Sequence, residues 1–236
     1  MNKGKLILIP IVISEGTEDV VISEHVRATI KGLDYFLVEN IRTARRFISS
    51  LKLEVKIESL NFGLLDKGTR SDKVKALLSP VFQGENVGIM SESGCPGVAD
   101  PGALAVDFAH KNGIQVVPMV GPSSILMALM SSGFNGQSFV FQGYIPIDKG
   151  ERIKKIKQME EHAHLLKQTQ IFMDTPYRNR HLLTDLIENC NPQTKLSIAR
   201  DITGEKELIQ TKTMKEWKSV KAPDLHKIPV IFSLYF

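Results

Sequence analysis

The chain has 236 residues, enough for one large domain or two compact ones. Apolar residues make up 42% and charged residues 24%, a globular balance that excludes disorder and fibrous repeats. Thirty basic against 26 acidic residues give +4, which permits an anionic partner without requiring one, and no apolar run nears the ~18–20 residues of a membrane span.

Lys5–Pro10 is predicted as a strand, because an unbroken aliphatic run suits a strand covered on both faces. Its apolar part, Leu6 to Ile9, is too short for the core of a signal peptide, so a soluble cytoplasmic protein is expected. Ser23–Ile30 reads as a helix with Ser23 at its N-cap and Gly32 near its end. Tyr35–Val38 is a strand and Thr43–Ser50 a helix; Val87–Met90, Pro101–Lys111 and Gln115–Val120 repeat that alternation. Strands alternating with helices imply right-handed crossovers and a mainly parallel sheet.

After Gly121-Pro122 the rhythm changes. The pattern predicts helices over Ser123–Met130, Lys149–His164 and Arg178–Asn189. Strands are expected over Ser138–Gln142, Gln170–Asp174, Lys195–Arg200, Glu207–Thr211 and Ile228–Tyr235. Strands joined by short turns suggest antiparallel or mixed pairing. Two α/β domains follow, 1–119 and 120–236, the first with a mainly parallel sheet and the second with a mixed one.

Spacing removes several chemistries. No two of the 17 glycines stand two residues apart, so the G-x-G dinucleotide fingerprint is absent. Gly84 and Gly88 enclose Asn86, which is no nucleophile elbow, and Gly63 and Gly68 are followed by Thr69-Arg70 where a P-loop needs Lys-Ser/Thr. His162 and His164 point to different faces of their helix, H-E-x-x-H is missing, and two cysteines, Cys95 and Cys190, cannot build a thiolate zinc site. No metal is expected.

Three polar turns remain, each following a predicted strand. Ser91–Gly102 holds three glycines and two prolines, a stiff loop whose N–H groups can approach a ligand, or simply an elaborate βα turn. Ser123 and Ser124 stand at a helix start, where they can cap the helix or hold a polar ligand. Asp174-Thr175-Pro176-Tyr177-Arg178 ends another strand. Glu39, past a strand end, and Glu92, in the glycine-rich loop, are candidate bases; Arg42 can hold a phosphate or form a structural ion pair with Glu39.

In this order the turns resemble the tetrapyrrole methylase superfamily of S-adenosylmethionine-dependent methyltransferases, and within it the branch that methylates small-subunit ribosomal RNA on a ribose 2′-hydroxyl. Glu92–Gly102 is similar to D-A-G-T-P-x-I-S-D-P-G and Val120–Ser124 to P-G-P-S-A. Ser132 through Pro146 resembles S-G-L…F-x-F-x-G-F-L-P, Phe172–Arg178 resembles F-Y-E-S-P-H-R, and Leu196–Thr203 resembles L-x-x-A-R-E-L-T.

The resemblance implies a two-domain fold with S-adenosylmethionine in a cleft between the domains, and a homodimer. Pro10, Ser93, Gly94, Cys95 and Val98 would line the cofactor, Ser123 and Ser124 would hold its methionine end, and Asp174, Ala199, Ile202 and Pro229 would surround the adenosine. The chain departs from the family on the acceptor side. Glu39-Asn40-Ile41-Arg42 replaces an acidic-acidic-T-R run, and Asn61–Lys67 replaces a histidine-rich segment. RNA is the expected acceptor. Two basic clusters, Arg42, Arg45 and Arg46, and Lys149, Arg152, Lys154, Lys155 and Lys157, offer phosphate contacts or are merely solvated helix faces. A tetrapyrrole or other small-molecule acceptor, or a non-catalytic cofactor-binding protein, is the alternative.

Overall fold

The computed structural model describes residues 3–236, which divide into two compact units, one ending at Ser123 and one running from Ser124 to Phe236. In the first unit the order is β1 (Lys5–Leu8), α1 (Glu18–Val21), α2 (Glu24–Lys31), β2 (Tyr35–Val38), α3 (Ile41–Ser50) and β3 (Asn61–Leu64). Then come α4 (Ser71–Leu77), α5 (Ser79–Phe82), β4 (Val87–Met90), α6 (Gly102–Lys111) and β5 (Gln115–Pro118). The five strands form one sheet in the order β3-β2-β4-β1-β5, every pairing parallel.

Neighbouring residues explain the unbroken aliphatic runs. Ile7, Phe36 and Val38 face a core shared with Val26 and Ile30 of α2 and Phe47 and Ile48 of α3. Leu6, Leu37 and Ile89 face the opposite core, with Val74 of α4 and Ala105 and Ala109 of α6. A parallel sheet covered on both faces needs apolar side chains at every strand position. Ser23 caps α2 as expected, its hydroxyl accepting the Val26 N–H at 3.3 Å. At α3 the cap is Asn40, whose side chain accepts the Arg42 and Thr43 N–H groups at 2.9 and 3.3 Å, so that helix begins two residues before its expected start at Thr43.

The second unit contains α7 (Ser124–Ser132), β6 (Phe139–Tyr144), α8 (Lys149–Leu165), β7 (Thr169–Met173) and α9 (Asn179–Asn189). It continues through β8 (Lys195–Arg200), β9 (Leu208–Thr213), α10 (Met214–Ser219) and β10 (Val230–Tyr235). Its sheet order is β6-β7-β10-β8-β9. β6 and β7 run parallel; β10 is antiparallel to both β7 and β8, and β8 and β9 form a hairpin. One face carries Ile171, Ala199 and Ile231 against Ala128 and Leu129 of α7. The other carries Phe172, Ile198 and Phe232 against α8, α9 and Trp217 of α10. The Trp217 indole is buried and donates to the Leu196 carbonyl at 2.9 Å.

The mixed sheet agrees with the sequence pattern. Between α3 and β4 that pattern assigns nothing, yet β3, α4 and α5 lie there. No helix among the described residues is long and apolar enough to cross a membrane.

Candidate functional site

In the first unit, β1 and β2 lead to helices on one face of the sheet, whereas β4, lying between them, leads to a helix on the other. The chain therefore diverges on both sides of β4 at the carboxyl edge, the usual position of ligand crevices in such sheets. Pro10, Glu39, the 91–102 loop and the turn ending at Ser123 all leave that edge.

These segments are tied together. The Ile11 N–H donates to the Gly94 carbonyl at 2.9 Å, and the Gly94 N–H returns to the Val12 carbonyl at 3.4 Å. Gly94 sits at φ +68°, and a Cβ there would stand 3.2 Å from the Pro122 carbonyl oxygen. The Cys95 thiol donates to that same oxygen at 3.2 Å, and burial pushes the thiol above its ordinary pKa, so it acts as a neutral donor. A Cβ on Gly121 would fall 2.1 Å from the Cβ of Pro10; only glycine leaves room for the proline ring against this turn. Ser93 and Val98 are exposed on the loop, and Ser123 is half-buried at the end of the unit.

Glu39 is half-buried and accepts the Glu92 N–H at 3.2 Å, which joins the end of β2 to the loop after β4. Burial holds its carboxyl above the usual range, with the Asp100 and Glu92 charges adding to the rise. The Glu92 N–H and Lys67 oppose it. No ion pair among the described residues joins Glu39 to Arg42, so of the two readings open for that arginine the structure does not form the pair; Arg42 is exposed. Glu92 contributes its backbone to Glu39 and leaves its exposed side chain on the loop.

Asp100 is the residue that sequence reasoning missed. Its carboxylate accepts the Gly97 N–H at 2.7 Å and the Gly102 N–H at 2.6 Å, fastening the loop onto itself. Burial raises its pKa, and those N–H groups lower it. An acidic residue three positions after one glycine and two before another is the signal that could have found it.

In the second unit Asp174, at the carboxyl end of β7, is buried. Its Oδ1 accepts from the Arg178 guanidinium and from the Thr175 N–H at 2.7 Å, while Oδ2 is buried with no partner. Buried polar atoms are rarely left unpaired, so Oδ2 marks a place for a donor. The Thr203 hydroxyl is likewise buried and unpartnered. Ala199 and Ile202 are packed in the core beneath α7, and Pro229 is exposed, its carbonyl accepting the Asp201 N–H at 2.9 Å. Ser124 is the first residue of α7.

The two basic clusters are engaged in part: Arg42, Lys149, Lys154 and Lys157 are exposed, whereas others have partners within the protein. Arg152 is buried in an ion pair with Asp185 at 2.7 Å and donates to the Ile147 carbonyl at 2.7 Å. Lys155 donates to Gln142 at 2.8 Å, Arg46 pairs with Glu15 at 2.7 Å, and Arg45 lies 5.3 Å from the centre of the Phe62 ring. No group of His, Cys, Asp and Glu among the described residues could hold a metal ion.

A doubly wound parallel unit with glycine-rich loops at its carboxyl edge, followed by a five-stranded mixed unit, defines a two-sheet α/β class without a dinucleotide fingerprint. Within that class the chain belongs to the tetrapyrrole (corrin/porphyrin) methylases, whose family pattern matches residues 21–218. It is 28% identical over 200 residues to a ribosomal RNA small subunit methyltransferase I of Thermotoga maritima, covering 85% of this chain and 84% of that one. The enzyme of the same name from Buchnera aphidicola is 27% identical over 184 residues, 78% of this chain; the chain matches only 60% of that relative's length. The fold resembles the methyltransferase CobJ, with a TM-score of 0.62 at 18% identity over 98% of this chain and 94% of that one. It also resembles a uroporphyrin-III C-methyl transferase from Thermus thermophilus complexed with S-adenyl homocysteine, with a TM-score of 0.56 at 16% identity over 98% of this chain and 97% of the other.

Proposed function

We propose that the protein is an S-adenosylmethionine-dependent methyltransferase acting on ribosomal RNA of the small subunit, with a ribose 2′-hydroxyl as acceptor, in the cytoplasm and as a homodimer. The observation that carries this reading is the likeness to small-subunit ribosomal RNA methyltransferases over 85% of the chain.

The residues present suit the cofactor. Asp174 Oδ2 is a buried acceptor without a donor, as an adenosine hydroxyl or amino group requires. Glycine at 94 and 121 keeps side chains out of this edge, where a Cβ would press on the Pro122 carbonyl oxygen and on the Pro10 ring. When bound, S-adenosylmethionine supplies a methyl group already activated by its sulfonium. Pro10, Ser93, Gly94, Cys95, Val98 and Ser123 of the first unit and Ser124, Asp174, Ala199, Ile202 and Pro229 of the second would hold it. The chain's own task is then to orient the acceptor oxygen and exclude water. Glu39 takes the acceptor's proton, aided by a pKa that burial has moved toward neutrality. Glu92 fixes Glu39 through its backbone N–H, and Arg42 supplies an exposed cation for a phosphate.

Tetrapyrrole methylation is the second reading, favoured by the fold likeness to the uroporphyrin-III enzyme. Labelled cofactor offered to small-subunit particles, naked ribosomal RNA and uroporphyrinogen separates the two. Label in RNA, located by mass spectrometry on a ribose, is the expected result. Label only in the porphyrinogen overturns it, and cofactor binding with transfer to none of the three points to another acceptor or to a non-catalytic protein.

A further inference from the structure

Two tyrosines of the second unit stand at the edge that carries Asp174. Tyr144 is 55% exposed and Tyr177 is 68% exposed. Tyr144 ends β6, where three residues of that strand face two of β7 and Gly143 takes φ +71°. Such a bulge turns a side chain out of the ladder's alternation. Tyr177 lies in the turn between β7 and α9. The chain entering β10 comes beside it: the Lys227 N–H donates to the Pro176 carbonyl at 3.2 Å, with Lys227 at φ +59°. That contact sets the Lys227 ammonium 5.8 Å from the centre of the Tyr177 ring, and the His226 ring is 6.5 Å away, edge-on.

Charge is arranged to match. Arg178, which follows Tyr177 and is close enough to Tyr144 to interact with it electrostatically, is neutralised by Asp174. Arg180 is neutralised by Asp224. Lys227 makes no ion pair among the described residues. The edge therefore offers two open aromatic faces with one available cation. Unpaired nucleotides take this combination, a ring to stack a base and an ammonium for the adjoining phosphate, whereas a duplex shows no free π-face.

We propose that Tyr144 and Tyr177, with Lys227 beside them, form a stacking platform for an unpaired nucleotide of the RNA substrate. This rests on the RNA reading above and adds an aromatic surface to the exposed cations that reading uses.

The test measures binding of the full chain to single-stranded fragments of small-subunit ribosomal RNA, with S-adenosylhomocysteine affinity measured in parallel. Tyr144→Ala and Tyr177→Ala weaken RNA binding roughly tenfold each. Tyr144→Phe and Tyr177→Phe bind as the parent does, because stacking uses the ring and not the hydroxyl. Lys227→Ala flattens the dependence of log affinity on log salt by about one contact. In the parent protein, RNA protects both tyrosines from iodination, a readout independent of any variant's folding.

Alanine variants that bind RNA like the parent, or tyrosines that RNA leaves unprotected, overturn the platform. Loss of S-adenosylhomocysteine affinity with RNA binding intact assigns the rings to the adenosine and overturns it too. So does protection that grows with protein concentration in the absence of RNA, which marks an interface between copies. A parent chain that binds no RNA removes the RNA reading and the platform together, and the parent measurement shows which has failed.

Discussion

At the scale of single residues, the carboxyl edge of the first unit is set by contacts too close for substitution. A valine at Gly121 would place its Cβ inside the Pro10 ring. Gly121→Val is expected to cost about 1–3 kcal/mol of stability, the usual penalty of overpacking, and to weaken S-adenosylmethionine binding; urea unfolding and calorimetry check the two effects. Glu39 carries the pH dependence. Its native pKa lies above its unfolded value, so between the two the native state binds more protons. Stability contributed by this group therefore falls as pH rises through that window. A base must be ionised to work, so methyl transfer fades as pH drops through the same raised pKa, above the ordinary carboxylate range. Glu39→Gln is expected to lose most transfer and to flatten part of the slope of stability with pH. Asp100 is raised in the same direction and adds to the slope, whereas Glu216 and Asp224, both lowered, oppose it. A pH–rate profile whose acid limb lies at an unshifted carboxylate value would contradict the assignment.

At the scale of elements, legibility followed burial and periodicity. β2, β4 and β8 occupy the spans their aliphatic or alternating patterns predict. α1, α4 and α5 were not legible, because four to seven residues span too few turns for a helical period to show. β3 is an edge strand with Asn61 and Leu64 exposed and Gly63 between flanking strand residues, so its four residues carry no alternation. α10 did leave a signal, the capping box from Thr213 to Glu216, just past the strand predicted to end at Thr211. The candidate site was legible as loops and not as contacts. Its glycines and serines follow strand ends, and the Asp100 clasp is local to its loop, but the Glu39–Glu92 bond depends on neighbours fixed by strand order. In the charged helix α8 one residue was illegible for a related reason: the pattern shows basic residues, and only packing shows that Arg152 faces inward to Asp185. Arg152→Ala leaves a buried carboxylate without its partner, and a loss of about 3–5 kcal/mol is expected in urea unfolding.

At the scale of the whole molecule, each unit closes its own sheet with apolar cores on both faces. The parallel sheet and the mixed one reach that state by different sequence codes. The first uses unbroken aliphatic strands joined through helices. The second includes a hairpin and an antiparallel final strand, β10, inserted between β7 and β8. A final segment that becomes an internal strand makes the end of this chain part of its architecture. Removing the residues from Val230 onward is expected to split the sheet into β6-β7 and β8-β9 pairs, each with one edge open, and to unfold the second unit, which loss of near-ultraviolet circular dichroism would reveal.

The chain has one tryptophan, Trp217, sealed in the second unit with its indole N–H on the Leu196 carbonyl. Its fluorescence is therefore an optical label that nature has placed in one half only. Arg152→Ala shifts the denaturation midpoint seen in indole emission, because both groups share the second unit's fold. Gly121→Val, in the first unit, leaves the native emission maximum where it was, and its damage is read by a probe of the backbone or of ligand binding instead. A blue-shifted native emission that relaxes to longer wavelength on unfolding thus reports half of this protein and is silent about the other.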